Sequence, residues 1–139
     1  MRIPSTAAHN RWHPDLEPVA HVAQGDVVTL ETRDGLDGQL TPASTHADCG
    51  RLDLGLGHPL TGPVFVEGAE PGDVLEVELL DYETPAFGVN GVIPGFGFLA
   101  DVFAEPFLVP WELDGSAARS RELPGIAVPA CTHAGVIGV

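Results

Sequence analysis

Residues 63–82 read PVFVEGAEPGDVLEVELLDY, and their pattern decides the fold class. From Val74 to Tyr82 apolar and acidic residues alternate. Leu75, Val77 and Leu79 fall on one face, Glu76 and Glu78 on the other. A period of two is that of a strand with one dry and one wet side. Upstream, Pro63–Glu67 is a short apolar strand. Between the two lies GAEPGD, 68–73, where Pro71-Gly72 suit the central pair of a type II turn, because Gly accepts positive φ at the second central position.

The same arrangement stands nearer the N-terminus. PVAHVA (18–23) is followed by Gln24-Gly25-Asp26 and then by VVTLET (27–32). Both places put a Gly-Asp turn before a Val-rich strand, so a β-unit recurs although its flanks differ. Thr84–Gly97, rich in Gly, Pro and aromatics, reads as a long loop of the kind that carries function or moves. Ala117–Ser120 suits one helical turn, and Gly125–Val128 a last short strand. His133–Val139 (HAGVIGV) is apolar and reads as a strand entering a core. No helix of ten residues emerges. The expectation is a mainly β chain, sandwich- or barrel-like, with little helix.

Composition agrees. The chain of 139 residues holds 17 Gly and 13 Pro, which argues against a helical bundle. Its length suits one domain or part of a larger one. The formal charge is −14, so no basic face is available for nucleic acid. All six basic residues are Arg, at positions 2, 11, 33, 51, 119 and 121. Without Lys, these residues supply neither a P-loop lysine nor the lysine of a Cys-Glu-Lys or Ser-Ser-Lys amidase triad. Cys49 and Cys131 stand alone, without a CxxC pattern, and read as two isolated buried thiols rather than a disulfide. No apolar run approaches the roughly 18 residues of a membrane helix. The start of the chain lacks the apolar region of a secretion signal, so a cytoplasmic protein is expected.

No G-x-S-x-G elbow, H-E-x-x-H zinc site or dinucleotide fingerprint occurs. The acidic signals are richer. Arg33-Asp34-Gly35-Leu36-Asp37-Gly38-Gln39 follows a strand. Its carboxylates either form turns or ligate a metal and position a water. Glu67 ends an apolar strand just before a tight turn, where a buried carboxylate would suit a general acid or base. His46-x-Asp48-Cys49 resembles a ligand cluster but reads better as a polar loop. His9 stands beside Asn10, Arg11 and Trp12, a composition of sites rather than cores. His58 precedes Pro59 and is expected to be extended.

Taken together, 9–42 (HNRWHPDLEPVAHVAQGDVVTLETRDGLDGQLTP), 58–81 (HPLTGPVFVEGAEPGDVLEVELLD), 94–103 (PGFGFLADVF) and 124–139 (PGIAVP…HAGVIGV) resemble the acetamidase/formamidase family, in the family's order and over almost the whole chain. TGPVFVEGAEPGD is the most specific piece. Family chains are well over twice as long. After the match to HAGVIGV they continue with Ala-Pro, a Gly-Gly-Asn-Met-Asp segment and a Gly-Asp-x-His-x-x-Gln-Gly-Asp-Gly-Glu segment. The resemblance therefore implies that residues 1–139 are the N-terminal part of a larger β-rich fold whose two halves build one site. It also implies hydrolysis of formamide or acetamide to ammonia and a carboxylate, with zinc, or calcium, as the associated metal. The family often has Asn at the position of His58.

Amide hydrolysis needs an activated water and a stabilised oxyanion. Without a lysine or a recognisable nucleophile here, metal-activated water assisted by a carboxylate is the most economical scheme. This half is then expected to supply Glu67 as acid/base, Asp34 beside the metal or water, His9 as a further metal ligand, and a small substrate pocket from Trp12, His58 and Phe96. The expected partners are a small amide, and either further copies of the chain or the absent C-terminal half. Two other classes stay open: a non-catalytic β-domain that binds a ligand or pairs with a chain carrying the metal residues, and a purely structural β-domain. A neighbouring reading frame with the Gly-Gly-Asn-Met-Asp and Asp-x-His segments would favour the enzyme.

Overall fold

Two turns of identical design organise the N-terminal strands. At Ala23–Asp26 the Asp26 N–H donates to the Ala23 carbonyl (3.1 Å), and Asp26 Oδ2 accepts the Ala23 N–H (2.8 Å). At Glu70–Asp73 the Asp73 N–H donates to the Glu70 carbonyl (3.0 Å), and Asp73 Oδ2 accepts the Glu70 N–H (2.9 Å). The third residue of each is Gly at positive φ, Gly25 at 87° and Gly72 at 106°, as a type II turn requires. The recurring β-unit read from the sequence is thus the same local hydrogen-bonding solution used twice.

The computed structural model describes residues 1–139, which divide into two compact units. The first comprises Met1–Gly38, Leu54–Leu80 and Val136–Val139. It holds three strand pairs. β1 (Arg2–Ile3) runs parallel to β4 (Thr29–Leu30), β2 (Ala8–His9) antiparallel to β5 (Leu60–Thr61), and β3 (Ala20–Val22) parallel to β6 (Val64–Val66). Ile3 and Val22 are its buried apolar residues. Glu31 ties the first pair together: its carboxylate accepts Arg2 Nε–H (2.6 Å) and the Ser5 N–H (3.3 Å). Its carbonyl accepts the Thr61 hydroxyl (2.7 Å). The Arg2 hydrogen bond, then the Ser5 N–H, hold the Glu31 pKa below its usual value.

The second unit comprises Gln39–Asp53 and Asp81–Gly135. A one-turn helix, α1 (His46–Cys49), opens on a capping box between Thr45 and Asp48. The remaining strands β7 (Phe87–Val92), β8 (Phe107–Leu113), β9 (Ala117–Arg119) and β10 (Ala127–Pro129) form one antiparallel sheet in the order β10-β9-β8-β7. Leu108 and Cys49, 2% and 1% exposed, form its core with Val109 and Leu40.

The mainly β fold with little helix is what the sequence led us to expect, and the strands at 18–23, 27–32 and 63–67 fall where they were read, in shorter form. Several elements differ. The strand expected over Val74–Tyr82 forms no ladder, and Val74 is 94% exposed. Alternation states which face wants burial; it provides no partner strand, and the first unit offers none. The loop expected over 84–97 contains β7, whose Gly88 and Gly91 disguise it. At Gly91 a Cβ would stand 2.9 Å from the Phe107 carbonyl oxygen and 3.1 Å from Cys49 Sγ, so close backbone approach explains the glycine.

Pro110 hides β8 in the sequence. That residue lies where β8 has β7 on one side only, since the β9 pairing begins at Glu112. Ala117–Arg119 is a strand, not a helical turn. Asp114 accepts the N–H groups of Ser116 and Ala117 (2.9 and 2.8 Å) and so folds a hairpin turn, which overrides the helix propensity of alanine. β10 begins two residues later than expected. Residues 133–139 form no strand. Cys49 and Cys131 are both free, but Cys131 is exposed rather than buried. Burial raises the Cys49 thiol pKa, and the Asp48 charge adds to it.

Candidate functional site

The loop after β4 is built by Asp34. Its Oδ1 accepts the Leu36 N–H (2.9 Å) and its Oδ2 the Gly38 N–H (2.6 Å), while its carbonyl accepts the Asp37 N–H (2.9 Å). These bonds let the chain reverse through Asp37 and Gly38, both at positive φ. Asp37 pairs with Arg33 one turn back. Asp34 therefore organises a turn first. Each of its oxygens keeps a second lone pair.

His58 reaches this loop through its backbone: its N–H donates to the Gly35 carbonyl (2.8 Å). The expected extended conformation is replaced by a left-handed one, φ 55°. Forming that hydrogen bond in the tight Gly57-His58-Pro59 corner outweighs the bias of a residue before proline. Among non-glycine residues Asn, Asp and His tolerate this region best.

β2 carries His9, opposite Leu60 on β5. His9 Nδ1 stands 2.7 Å from the Arg11 carbonyl oxygen. A carbonyl only accepts, so Nδ1 bears the proton; in the neutral ring Nε2 then holds the lone pair with which an imidazole binds a metal or accepts a proton. Trp12 meets the His9 ring edge to face (centroids 6.5 Å, 83°), and Asn10 Nδ2 donates to the Gly55 carbonyl (2.8 Å). A Cβ on Gly138 would lie 2.8 Å from the Trp12 ring, so that glycine allows the 136–139 segment to lie on the indole.

Glu67 closes β6. Its N–H donates to the Val22 carbonyl (2.8 Å), and the Ala69 N–H donates to the Val66 carbonyl (3.2 Å), with Gly68 at φ 81°. Its Oε1 lies 2.9 Å from His21 Nδ1 on the parallel neighbour β3. Both side chains are more than half exposed, so Glu67 is not the buried carboxylate that a desolvated acid would be. Phe96 belongs to the second unit, in the exposed turn Ile93–Phe96.

The first unit thus contains His9, Trp12, His58 and Asp34, joined through the β2–β5 pair and the Asp34 loop, and Glu67 on its β3–β6 pair. Sequence reasoning missed His21 as the partner of Glu67. The recurring Gly-Asp unit was the available signal, since the strands leading into its two copies are the ones that pair. It also left His46 without a role. His46 Nδ1 accepts the Leu108 N–H (2.9 Å), and its ring stacks on Phe107 (4.6 Å, 11°). His46-x-Asp48-Cys49 is a short helix that braces β8, in place of the expected polar loop.

No three His, Cys, Asp or Glu side chains converge on one point. His9 offers one lone pair and Asp34 the remainder of a carboxylate already bonded to two N–H groups. The residues present do not make a metal site by themselves.

The chain spans about a third of the length of the curated relatives it matches. It is 34% identical over 151 residues to an acetamidase of Mycolicibacterium smegmatis, covering 99% of this chain and 37% of that protein. It is 39% identical over 136 residues to a formamidase of Methylophilus methylotrophus, covering 94% and 33%. Among solved structures, a gamma lactamase from Delftia acidovorans superposes with a TM-score of 0.84 at 37% identity, over 90% of this chain and 32% of that one. An acetamidase from Bacillus halodurans superposes with a TM-score of 0.81 at 28% identity, over 93% and 42%. The sequence pattern of the Acetamidase/Formamidase family matches residues 2–139. With strands, turns and sequence in agreement over that range, the chain belongs to the Acetamidase/Formamidase family.

Proposed function

We propose that this chain supplies the N-terminal part of the site of an enzyme that hydrolyses short amides to ammonia and a carboxylate. The observation that carries the reading is the family match over residues 2–139, together with relatives named acetamidase and formamidase. The substrate class is formamide or acetamide.

In this reading Glu67 is the acid/base carboxylate, because the backbone fixes its origin while its side chain stays reachable. Trp12 and His58 shape a small substrate pocket on the first unit. Asp34 and His9 are the donors this chain offers toward a divalent metal, zinc or calcium, whose remaining ligands lie outside these residues. Such a metal would activate a water and polarise the amide carbonyl. The protein works as a homo-oligomer or with the polypeptide that completes the family's length, and the compartment is the cytoplasm. No helix is long and apolar enough to cross a membrane.

A second reading has its own observation. β1–β4 and β3–β6 are isolated parallel pairs, and parallel strands are normally covered on both faces. This favours a β-domain that is non-catalytic alone and pairs with a separate chain bearing the metal residues. Ammonia release from formamide and acetamide separates the two, measured on these 139 residues with and without the remaining family segments, alongside elemental analysis. The enzyme reading expects turnover and metal only with both parts present. Robust turnover by the 139 residues alone, indifferent to chelators, overturns both the metal scheme and the division of labour. No turnover by the combined parts favours the binding domain.

A further inference from the structure

Glu67 presents a difficulty for the role just given to it. Its side chain is 58% exposed, and a carboxylate on an exposed stem samples several rotamers, whereas proton transfer needs one oxygen held in place. The β3–β6 register resolves this. His21 lies opposite Phe65, and Phe65 stands two residues before Glu67, on the same face of its strand. The imidazole rests against the Phe65 ring (centroids 5.1 Å, 42°), and its Nδ1 meets Glu67 Oε1 at 2.9 Å. An ionised carboxylate only accepts, so Nδ1 carries the proton. Glu67 Oε2 makes no hydrogen bond within the chain. An exposed ion pair contributes little to stability, so orientation is the consequence that matters.

We propose that His21 is a positioning residue for Glu67: its Nδ1–H anchors Oε1 and leaves Oε2 as the oxygen that handles the proton. The assignment rests on the amide-hydrolysis reading above. Oε2 takes a proton from water as the water oxygen bonds to the amide carbon. The same proton passes to the amide nitrogen as the C–N bond breaks, releasing ammonia and leaving the carboxylic acid. His21 keeps its own proton throughout. Nothing in the Glu67 strand itself supplies this anchor; it comes from a strand more than forty residues earlier, which the parallel pairing brings alongside.

The test uses the complete enzyme containing these residues, with formamide as substrate and three variants: His21→Ala, His21→Asn and Glu67→Gln. His21→Ala removes the anchor and should lower kcat on the order of 10²-fold, the cost of a misplaced catalytic group, with KM and melting temperature little changed. The side-chain amide nitrogen of Asn can stand where Nδ1 stands, so His21→Asn should recover most of that loss. A wild-type kcat in His21→Ala overturns the assignment. So does an Asn variant as impaired as the Ala variant, because Nε2 would then be the working atom. Nitrogen NMR on the 139-residue chain reads the anchor without turnover: His21 should carry its proton on Nδ1 in the wild type and lose that preference in Glu67→Ala. A neutral His21 protonated on Nε2 in the wild type also overturns it. Failure of the underlying reading looks different: wild-type protein that releases no ammonia, or an unimpaired Glu67→Gln.

Discussion

Gly91→Ala should destabilise the chain, and the magnitude can be worked from its surroundings. The added Cβ would stand 2.9 Å from the Phe107 carbonyl oxygen, 3.1 Å from Cys49 Sγ and 4.0 Å from Leu108 Cδ1. Two of these neighbours are the least exposed side chains of the second unit. The nearest is backbone, held by the β7–β8 register that places Gly91 opposite Leu108 and Val92 opposite Phe107. It cannot retreat without opening the ladder. Overpacking a tight core costs about 1–3 kcal/mol. Replacing Gly by Ala returns about 0.4–1 kcal/mol by restricting the unfolded chain. A net loss of about 1–2 kcal/mol is expected. Urea unfolding measures it as a lowered midpoint at unchanged slope. Gly88→Ala is the control in the same strand, because its Cβ would meet only the end of the Leu113 side chain, at 3.4 Å. Adding Cys49→Ala to Gly91→Ala should relieve the sulfur contact but not the carbonyl one, so rescue stays partial. Gly91→Ala as stable as Gly88→Ala would refute the claim that close approach, rather than turn propensity, placed this glycine.

Three further outcomes are expected. Glu31, Asp48 and Asp114 all have lowered pKa values, Asp114 well below the usual range because the Ser116 hydroxyl and the Ala117 and Ser116 N–H groups bond its charged form. Folded-state values below the unfolded ones mean stability that is full above the ordinary carboxylate range and lost as pH falls through the lowered values. Asp114→Asn should therefore weaken the chain at neutral pH and flatten its acid unfolding curve, and an unchanged curve would count against the hairpin role. Glu67→Gln in the complete enzyme should lower kcat by roughly 10²–10⁴ with KM little changed and stability within about 1 kcal/mol; preserved kcat with a lowered melting temperature would leave Glu67 as a turn anchor only. Size-exclusion chromatography of the 139 residues should show a soluble oligomer, since unpaired apolar strands invite association, and a sharp monomer peak would contradict this.

What the sequence made legible was local. Gly25-Asp26 and Gly72-Asp73 announced their turns because every group involved lies within four residues. PVAHVA and PVFVE announced strands for the same reason. Pairing was legible only faintly: β3 meets β6 in parallel across more than forty residues, nothing in either strand names the other, and the shared Gly-Asp turn that follows each is the one common mark. Elements whose breakers serve a tertiary purpose were misread. Gly91 makes room for a carbonyl and a sulfur, and Pro110 occupies a one-sided stretch of β8. His58 was misread because its left-handed backbone depends on an acceptor, Gly35, that only the fold brings near. The candidate residues Asp34, His9, Trp12, His58 and Glu67 could be named from residue type and setting alone, while the bonds they make, to N–H groups, a carbonyl, a ring and an imidazole, required the structure.

The chain asks for more burial than it supplies. Leu75, Val77 and Leu79 alternate with Glu76 and Glu78 as a half-buried strand should, yet they find no neighbour, and Val136, Ile137 and Val139 are likewise exposed. Two-stranded parallel pairs are under-supported in the same sense, since such strands normally sit inside sheets covered on both faces. On the proposed metal scheme the chemistry would run short in the same way: His9 would present one lone pair and Asp34 a partly used carboxylate, where a divalent metal takes four or more ligands. Strands that lack partners and proposed ligands that lack companions, in one unit, are economically met by one source. On the reading proposed here, a polypeptide that adds strands to β3–β6 and covers 74–80 would bring its metal ligands and oxyanion donors with it, so that completing the sheet and completing the site become the same event.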